Sequence, residues 1–379
     1  MSTIEQTTNE VSTSGLSRRH FIQAAAATGV AIPFAQMFGG SGVGAAGKTL
    51  KWASQAQEGP AAPWMTKGGS LQIINAVGAW LCDVAPSGQL VPSVATKWKG
   101  TDAGKTWTFT IRGDVKFHDG SALKAEDVIY TLQSHLDPAN KSQSAGRLGD
   151  CTSAGIVKVN ATTIRFNLKR ANANFPYAVS SANYGLCMLK KGEKGDESWT
   201  KKMNSAGPWI MVTHKINEKT VFKKNPNYFK KDLIPQFEKM EQIQYVSNSA
   251  AIPALKTGKL DSIHFLTGVE ADAIPKNKYY KTQVATCGGL HMHMRCDIGQ
   301  LTDKRVREAI ALSLDRQGYV KNVMAGYGSV ANDSVMDSFP TADKKVPVRK
   351  KNIARAKALL KEAGVPNGFK VTLQSWKRD

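Results

Sequence analysis

His291, His293 and Arg295 alternate along Leu290-His291-Met292-His293-Met294-Arg295, and an extended backbone would put all three on one face. A guanidinium there can clamp a carboxylate with two parallel hydrogen bonds, and the two imidazoles, with a cysteine nearby, are transition-metal ligand types. A third and fourth ligand at metal-site spacing are missing, so neither a metal site nor a cofactor is assigned. Asp333, next to Asn332 in Gly328-Ser329-Val330-Ala331-Asn332-Asp333, offers a carboxylate to an ammonium group, with helix capping as the alternative. Ser54 and Gln55 end an early strand-like run, and Ser181, Asn183 and Tyr184 sit in a polar loop. These are hydrogen-bonding groups suited to holding a small molecule. The marks of catalysis are missing: there is no Gly-x-Gly-x-x-Gly after a strand, no Cys-x-x-Cys-His, no His-Glu-x-x-His and no Gly-x-Ser-x-Gly.

The elements that must carry these groups are legible in places. Thr106-Trp107-Thr108-Phe109-Thr110-Ile111 alternates strictly, which predicts a half-buried strand with Trp107, Phe109 and Ile111 inward. After Arg112-Gly113-Asp114, Val115-Lys116-Phe117 is expected as its short partner strand, closed by the turn His118-Asp119-Gly120. A helix should follow, with Glu126 and Asp127 in its first turn and Val128, Leu132 and Leu136 on one face. Lys51-Trp52-Ala53-Ser54-Gln55 reads as an opening strand, and two runs either side of Asn160-Ala161 read as a hairpin. Later, Val306, Ile310 and Leu314 share a helical face, Gly364 falls at a helix C′ position, and Phe369, Val371 and Leu373 alternate as a further strand.

With 379 residues and 41% hydrophobic content, the chain is long enough for about two globular domains. Its 51 Lys and Arg against 30 Asp and Glu give a net charge of +21. The lysines are dispersed in pairs such as Lys190-Lys191 and Lys223-Lys224, without aromatic interleaving, which argues for a solvated basic surface and against nucleic acid as a partner. Ser17-Arg18-Arg19-His20-Phe21-Ile22 precedes a mildly apolar run over residues 24–38, with small residues at Gly44-Ala45-Ala46. That pattern, centred on Arg18 and Arg19, predicts a twin-arginine export signal over residues 1–46 and a periplasmic location. The run is too short for a membrane span of about 20 residues.

Taken in order, Leu90-Val91-Pro92 ahead of Trp98, then Asp102-Ala103-Gly104-Lys105-Thr106-Trp107-Thr108-Phe109, Val115-Lys116-Phe117-His118-Asp119-Gly120 and Ala125-Glu126-Asp127-Val128, resembles the extracellular solute-binding proteins of family 5, the peptide- and nickel-type receptors of ABC importers. Further blocks continue the resemblance: Ser205-Ala206-Gly207-Pro208-Trp209, Asn225-Pro226-Asn227-Tyr228-Phe229, Ala254-Leu255-Lys256-Thr257-Gly258-Lys259-Leu260-Asp261, Asp303-Lys304-Arg305-Val306-Arg307-Glu308-Ala309-Ile310, and the late helix ending at Gly364. The resemblance implies an α/β, two-lobed periplasmic-binding-protein fold of type II, cluster C-like, with mixed sheets and an extra lobe-one subdomain. Lobe one is expected over 47–288, its inserted subdomain over about 90–202, and lobe two, cut short relative to the family, over 289–379, with the crossing near Cys287-Gly288-Gly289-Leu290. The implied function is non-enzymatic: capture of a peptide or similar small solute by hinge closure and delivery to an ABC permease in the inner membrane, by a monomer. Ser54, Gln55, Ser181, Asn183, Tyr184, His291, His293, Arg295, Asn332 and Asp333 become the expected cleft residues. A metal- or metallophore-binding member of the same fold, or an exported enzyme, is the alternative.

Overall fold

Strand β1 (Thr49–Gln55) is buried on both faces at its centre, as a strand flanked by parallel neighbours should be. In this computed structural model, which describes residues 49–67, 69–85, 88–264, 266–275, 292–331, 333, 343 and 345–374, it lies within a five-stranded sheet. Its neighbours β10 (Lys239–Tyr245) and β11 (Ser262–Ile263) run parallel to it, and β9 (Lys219–Lys224) and β8 (Trp209–Lys215) continue the sheet antiparallel, in the order β11-β1-β10-β9-β8. Leu50 and Trp52 point into the main core, whereas Ala53 on the opposite face packs with Ile252 and Leu255 of helix α3 (Asn248–Lys256). Arg18, Arg19, the expected crossing at 287–290, His291 and Asn332 lie outside the described residues.

A second, four-stranded antiparallel sheet has the order β4-β5-β7-β6, from β4 (Ala95–Thr101), β5 (Thr106–Ile111), β6 (Ile156–Asn160) and β7 (Thr163–Asn167). Phe109 and Ile111 are buried as the alternation requires, and Phe109 meets Phe166 edge-on at 5.3 Å. Residues 115–117 depart from expectation. They make one isolated bridge, Lys116 with Ala122, because the chain folds back on its own turn: Phe117 N–H donates to Ser121 O at 2.8 Å and Leu123 N–H to Val115 O at 3.0 Å. The edges of β5 are taken instead by β4 and β7. Helix α2 (Ala125–Leu136) buries Val128 and Leu132, and its Asp127 carboxylate accepts the N–H groups of Lys124 at 2.7 Å and Lys191 at 2.8 Å.

The two sheets are tied through the turn at 118–120. His118 N–H donates to Ser205 O at 2.8 Å, its ring nitrogens stand 3.3 Å from Met203 O and 3.1 Å from Gly207 O, and Asn204 Oδ1 accepts from Asp119 N–H at 3.2 Å. Asn225 Nδ2 donates to the same Gly207 carbonyl at 2.8 Å. Gly207 itself presses on helix α1 (Ser70–Val77): a Cβ there would stand 2.5 Å from the backbone of Val77 and Gly78. Three separate sequence blocks thus meet at one backbone junction.

Helix α4 (Gly268–Asp272) carries a capping box, with Thr267 Oγ1 accepting from Glu270 N–H and Glu270 from Thr267 N–H. Beyond it, helices α5 (Lys304–Ser313), α6 (Arg316–Asn322) and α7 (Ile353–Glu362) follow. The buried stripe of α5 is Val306, Ala309 and Leu312, not Val306, Ile310 and Leu314, because Ala309 and Leu312 pack with Ala356 and Leu359 of α7; Leu314 has left the helix. Gly364, at φ +76°, closes α7 as expected: its N–H bonds to Lys361 O at 3.0 Å and Val365 N–H to Leu360 O at 2.9 Å. Phe369, Val371 and Leu373 form no strand among the described residues; no neighbouring strand pairs with them, and Val371 and Leu373 are exposed.

Candidate functional site

One face of the main sheet changes character along β1. Leu50, Met240 and Phe222 form an apolar row; the next row is Trp52, Gln242, Thr220 and His214; beyond it stand Ser54 and Gln244. Gln242, Thr220, Ser54 and Gln244 are buried and His214 is half-buried, and these polar side chains are largely satisfied by one another and their neighbours. Gln242 Nε2 donates to Ser54 Oγ at 3.0 Å, His214 Nδ1 lies 2.9 Å from Thr220 Oγ1, Gln244 Nε2 donates to Gln57 Oε1 at 2.8 Å, and Gln57 N–H donates to Asn217 Oδ1 at 2.8 Å. Gln242 Oε1 is buried without a hydrogen-bond partner among the described residues. The polar end is the carboxyl end of the parallel strands, where open α/β sheets receive ligands. Gln55 is exposed at that rim and Ser54 stands behind it, bonded to Gln242. The exposed Val246 follows β10 at the same end.

The loop that leaves β1 supplies Pro63 and Thr66 to a pocket of about 80 Å³, which Gln143, Ser144, Arg147, Asn183, Tyr184 and Gly185 complete. Of the residues expected here, Ser181 and Asn183 serve the backbone. Ser181 Oγ accepts from Val84 N–H at 3.0 Å, and Asn183 Nδ2 donates to Ala178 O at 3.0 Å, both side chains being buried. Tyr184 is different. Its carbonyl accepts from Trp80 Nε1 at 3.0 Å, which fixes the loop, and its ring lies 5.2 Å beneath the guanidinium of Arg147. Arg147 also donates to Ala182 O at 2.8 Å.

The remaining expected residues that the structure describes are not in this pocket's lining. His293 is exposed, and Arg295 is exposed with its Nε and Nη2 donating to its near neighbour Asp297, at 2.7 and 2.6 Å. Asp333 neither caps a helix nor waits open: it lies between Arg316, at 2.5 Å, and Arg349. Among the described residues no group of His, Cys, Asp and Glu is arranged to hold a metal ion. Cys82, Cys151, Cys187 and Cys296 are free thiols, Cys287 being outside the described residues, and burial pushes Cys151 and Cys187 up to about 12, where neither is a nucleophile. Burial likewise lowers His135 to about 3 and His264 to about 4.

Gln57, Gln242, Gln244, Ser144 and Arg147 were not singled out by sequence. For Gln242 and Gln244 a signal existed: Met240-Glu241-Gln242-Ile243-Gln244 places amides on one face of a strand whose other end is apolar. For Arg147 there was none, since its relation to Tyr184 is a contact between distant segments.

A core of parallel strands with polar carboxyl ends, joined to a second antiparallel sheet, is the architecture of periplasmic binding proteins. The fold matches the structure of NikZ from Campylobacter jejuni in complex with Ni(L-His), with a TM-score of 0.67 at 22% identity over 83% of this chain and 63% of that one. The profile of bacterial extracellular solute-binding proteins, family 5 (middle), matches residues 89–378. The chain belongs to that family. Di/tripeptide-binding protein 1 of Pseudomonas aeruginosa is 26% identical over 313 residues, covering 75% of this chain and 57% of that protein. The periplasmic murein peptide-binding protein MppA of Escherichia coli is 28% identical over 283 residues, covering 67% of this chain and 50% of that protein. The chain thus spans about half the length of the curated relatives it matches. No helix among the described residues is long and apolar enough to cross a membrane.

Proposed function

We propose that the chain captures a small solute, of peptide type, as the binding component of an ABC importer, and hands it to a permease without altering it. The observation that carries this is the sheet whose parallel strands end in a polar rim, Ser54-Gln55 with Gln57 and Gln244, together with the Tyr184 pocket, in a chain of the solute-binding family. Relatives named for di- and tripeptides and for murein peptide support a solute of peptide type. Lobe one would run over 47–288 with its insertion at about 90–202, and residues 289–379 would belong to lobe two. Closure of the two about the crossing near 287–290 would shift the population to the ligand-bound form. The pair Arg18-Arg19 would route the chain outward by twin-arginine export, giving a periplasmic monomer.

The test is a thermal-shift screen against di- and tripeptides, with each peptide recovered afterwards by mass spectrometry. A ligand that binds the native state alone raises Tm by mass action, by about 2.7 kcal/mol of stability at a hundredfold excess over Kd. The proposal expects a concentration-dependent rise with peptide recovered intact. Cleaved peptide would make the protein an enzyme and overturn the reading.

A further inference from the structure

We infer that the pocket under Tyr184 is an anion subsite, in which Arg147 takes a carboxylate of the solute. The inference rests on the solute-binding reading and names what that site recognises. Arg147 has no acidic partner among the described residues, whereas Arg112 pairs with Asp114 and Arg170 with Asp150. It is nevertheless held in place, by the Tyr184 ring at 5.2 Å and by one hydrogen bond to Ala182 O at 2.8 Å. An arginine carries five donors, so most of the fork stays available where it lines the pocket.

The rest of the lining fits the same chemistry. No acidic side chain contributes to it. Ser144 is 6% exposed and its hydroxyl has no partner among the described residues; Thr66 and Gln143 supply a second hydroxyl and an amide. Gly185 keeps the floor open, because a Cβ at that position would collide with Ser144 Oγ and the Pro63 carbonyl oxygen. The pocket has room for a carboxylate and is not closed off from solvent, so it can accept one end of a solute that extends beyond it. A hydroxyl and a preorganised guanidinium lining one pocket offer an oxyanion charge-assisted hydrogen bonds, which a neutral amide end would not gain.

Three probes test this on the full chain: citrate, trialanine and trialanine amide. The readouts are calorimetric affinity and the Arg147 Nε–H resonance. Citrate and trialanine are expected to move that resonance saturably, and trialanine amide to bind at least about tenfold more weakly than trialanine. Arg147→Ala should erase the difference between acid and amide at unchanged Tm, and Arg147→Lys should retain part of it, as a point charge without the fork. An Arg147 resonance that no anion moves, or an Arg147→Ala protein that still prefers the acid, overturns the inference. If the amide binds wild type as well as the acid does, solute capture stands and the anion subsite falls. If citrate moves Arg147 while neither peptide binds, the subsite stands and the peptide reading falls.

Discussion

Lys230→Met should be among the more damaging single substitutions in this fold, and the reason lies in its partner. Asp83, in strand β2 (Cys82–Val84), is 2% exposed and forms an ion pair with Lys230 Nζ; one of its oxygens, Oδ1, is already buried without a hydrogen bond. The lysine side chain is 13% exposed, lies over the Phe229 ring at 6.0 Å, and shares that ring with Arg112 at 5.2 Å. Removing the ammonium leaves a carboxylate in a site with little water to replace it. Breaking a buried pair in this way costs about 3–5 kcal/mol, against about 0–1 kcal/mol for an exposed one. Methionine keeps most of the stem's packing, so the loss reports charge more than volume. Urea unfolding followed by tryptophan fluorescence measures it, and the Asp83→Asn, Lys230→Met double variant should recover part of the loss because the orphaned charge is gone. A single-variant loss below about 1 kcal/mol, or a double variant no better than the single, refutes the reasoning.

Gly207→Ala pushes a methyl against the backbone of Val77 and Gly78, at 2.5 Å before relaxation, and should cost about 1–3 kcal/mol, read as a lowered urea midpoint. Acid should weaken the fold through its buried histidines. Unfolded imidazoles take up protons below the ordinary value of 6.5, whereas burial keeps His135 neutral to about 3 and His264 to about 4. Their stabilisation is therefore complete above pH 6.5 and is lost as pH falls toward 4. Urea midpoints that are equal at about pH 7.5 and about pH 5 contradict this.

What could be read from residues alone divides by the range of the interaction. Strand β5, helix α2 and the Gly364 stop rest on periodicity or on contacts within a few residues, and each is found where its pattern put it. The partner of β5 was misassigned because alternation shows that a strand has an inward face and says nothing of which strand takes its edge. The stripe on α5 shifted to Ala309 and Leu312 because α7, from about fifty residues later, packs Ala356 and Leu359 against them. At the site the same limit applies. Ser181 and Asn183 are polar in a loop, as a cleft residue should be, yet both are engaged by the backbone of their own loop and of Val84. Asp333 presented a carboxylate in sequence and is held between two arginines in space. Tyr184 lines a pocket, and the groups that give that pocket its charge and its open hydroxyl, Arg147 and Ser144, come from a segment about forty residues earlier.

The most direct test of solute capture is mass spectrometry of small molecules released when the protein, purified from its own host without added ligand, is denatured. The account predicts a near-stoichiometric small solute bearing a free carboxylate, of peptide type, chemically unchanged on rebinding. A preparation that releases no small molecule and whose Tm stays fixed across di- and tripeptides would contradict it.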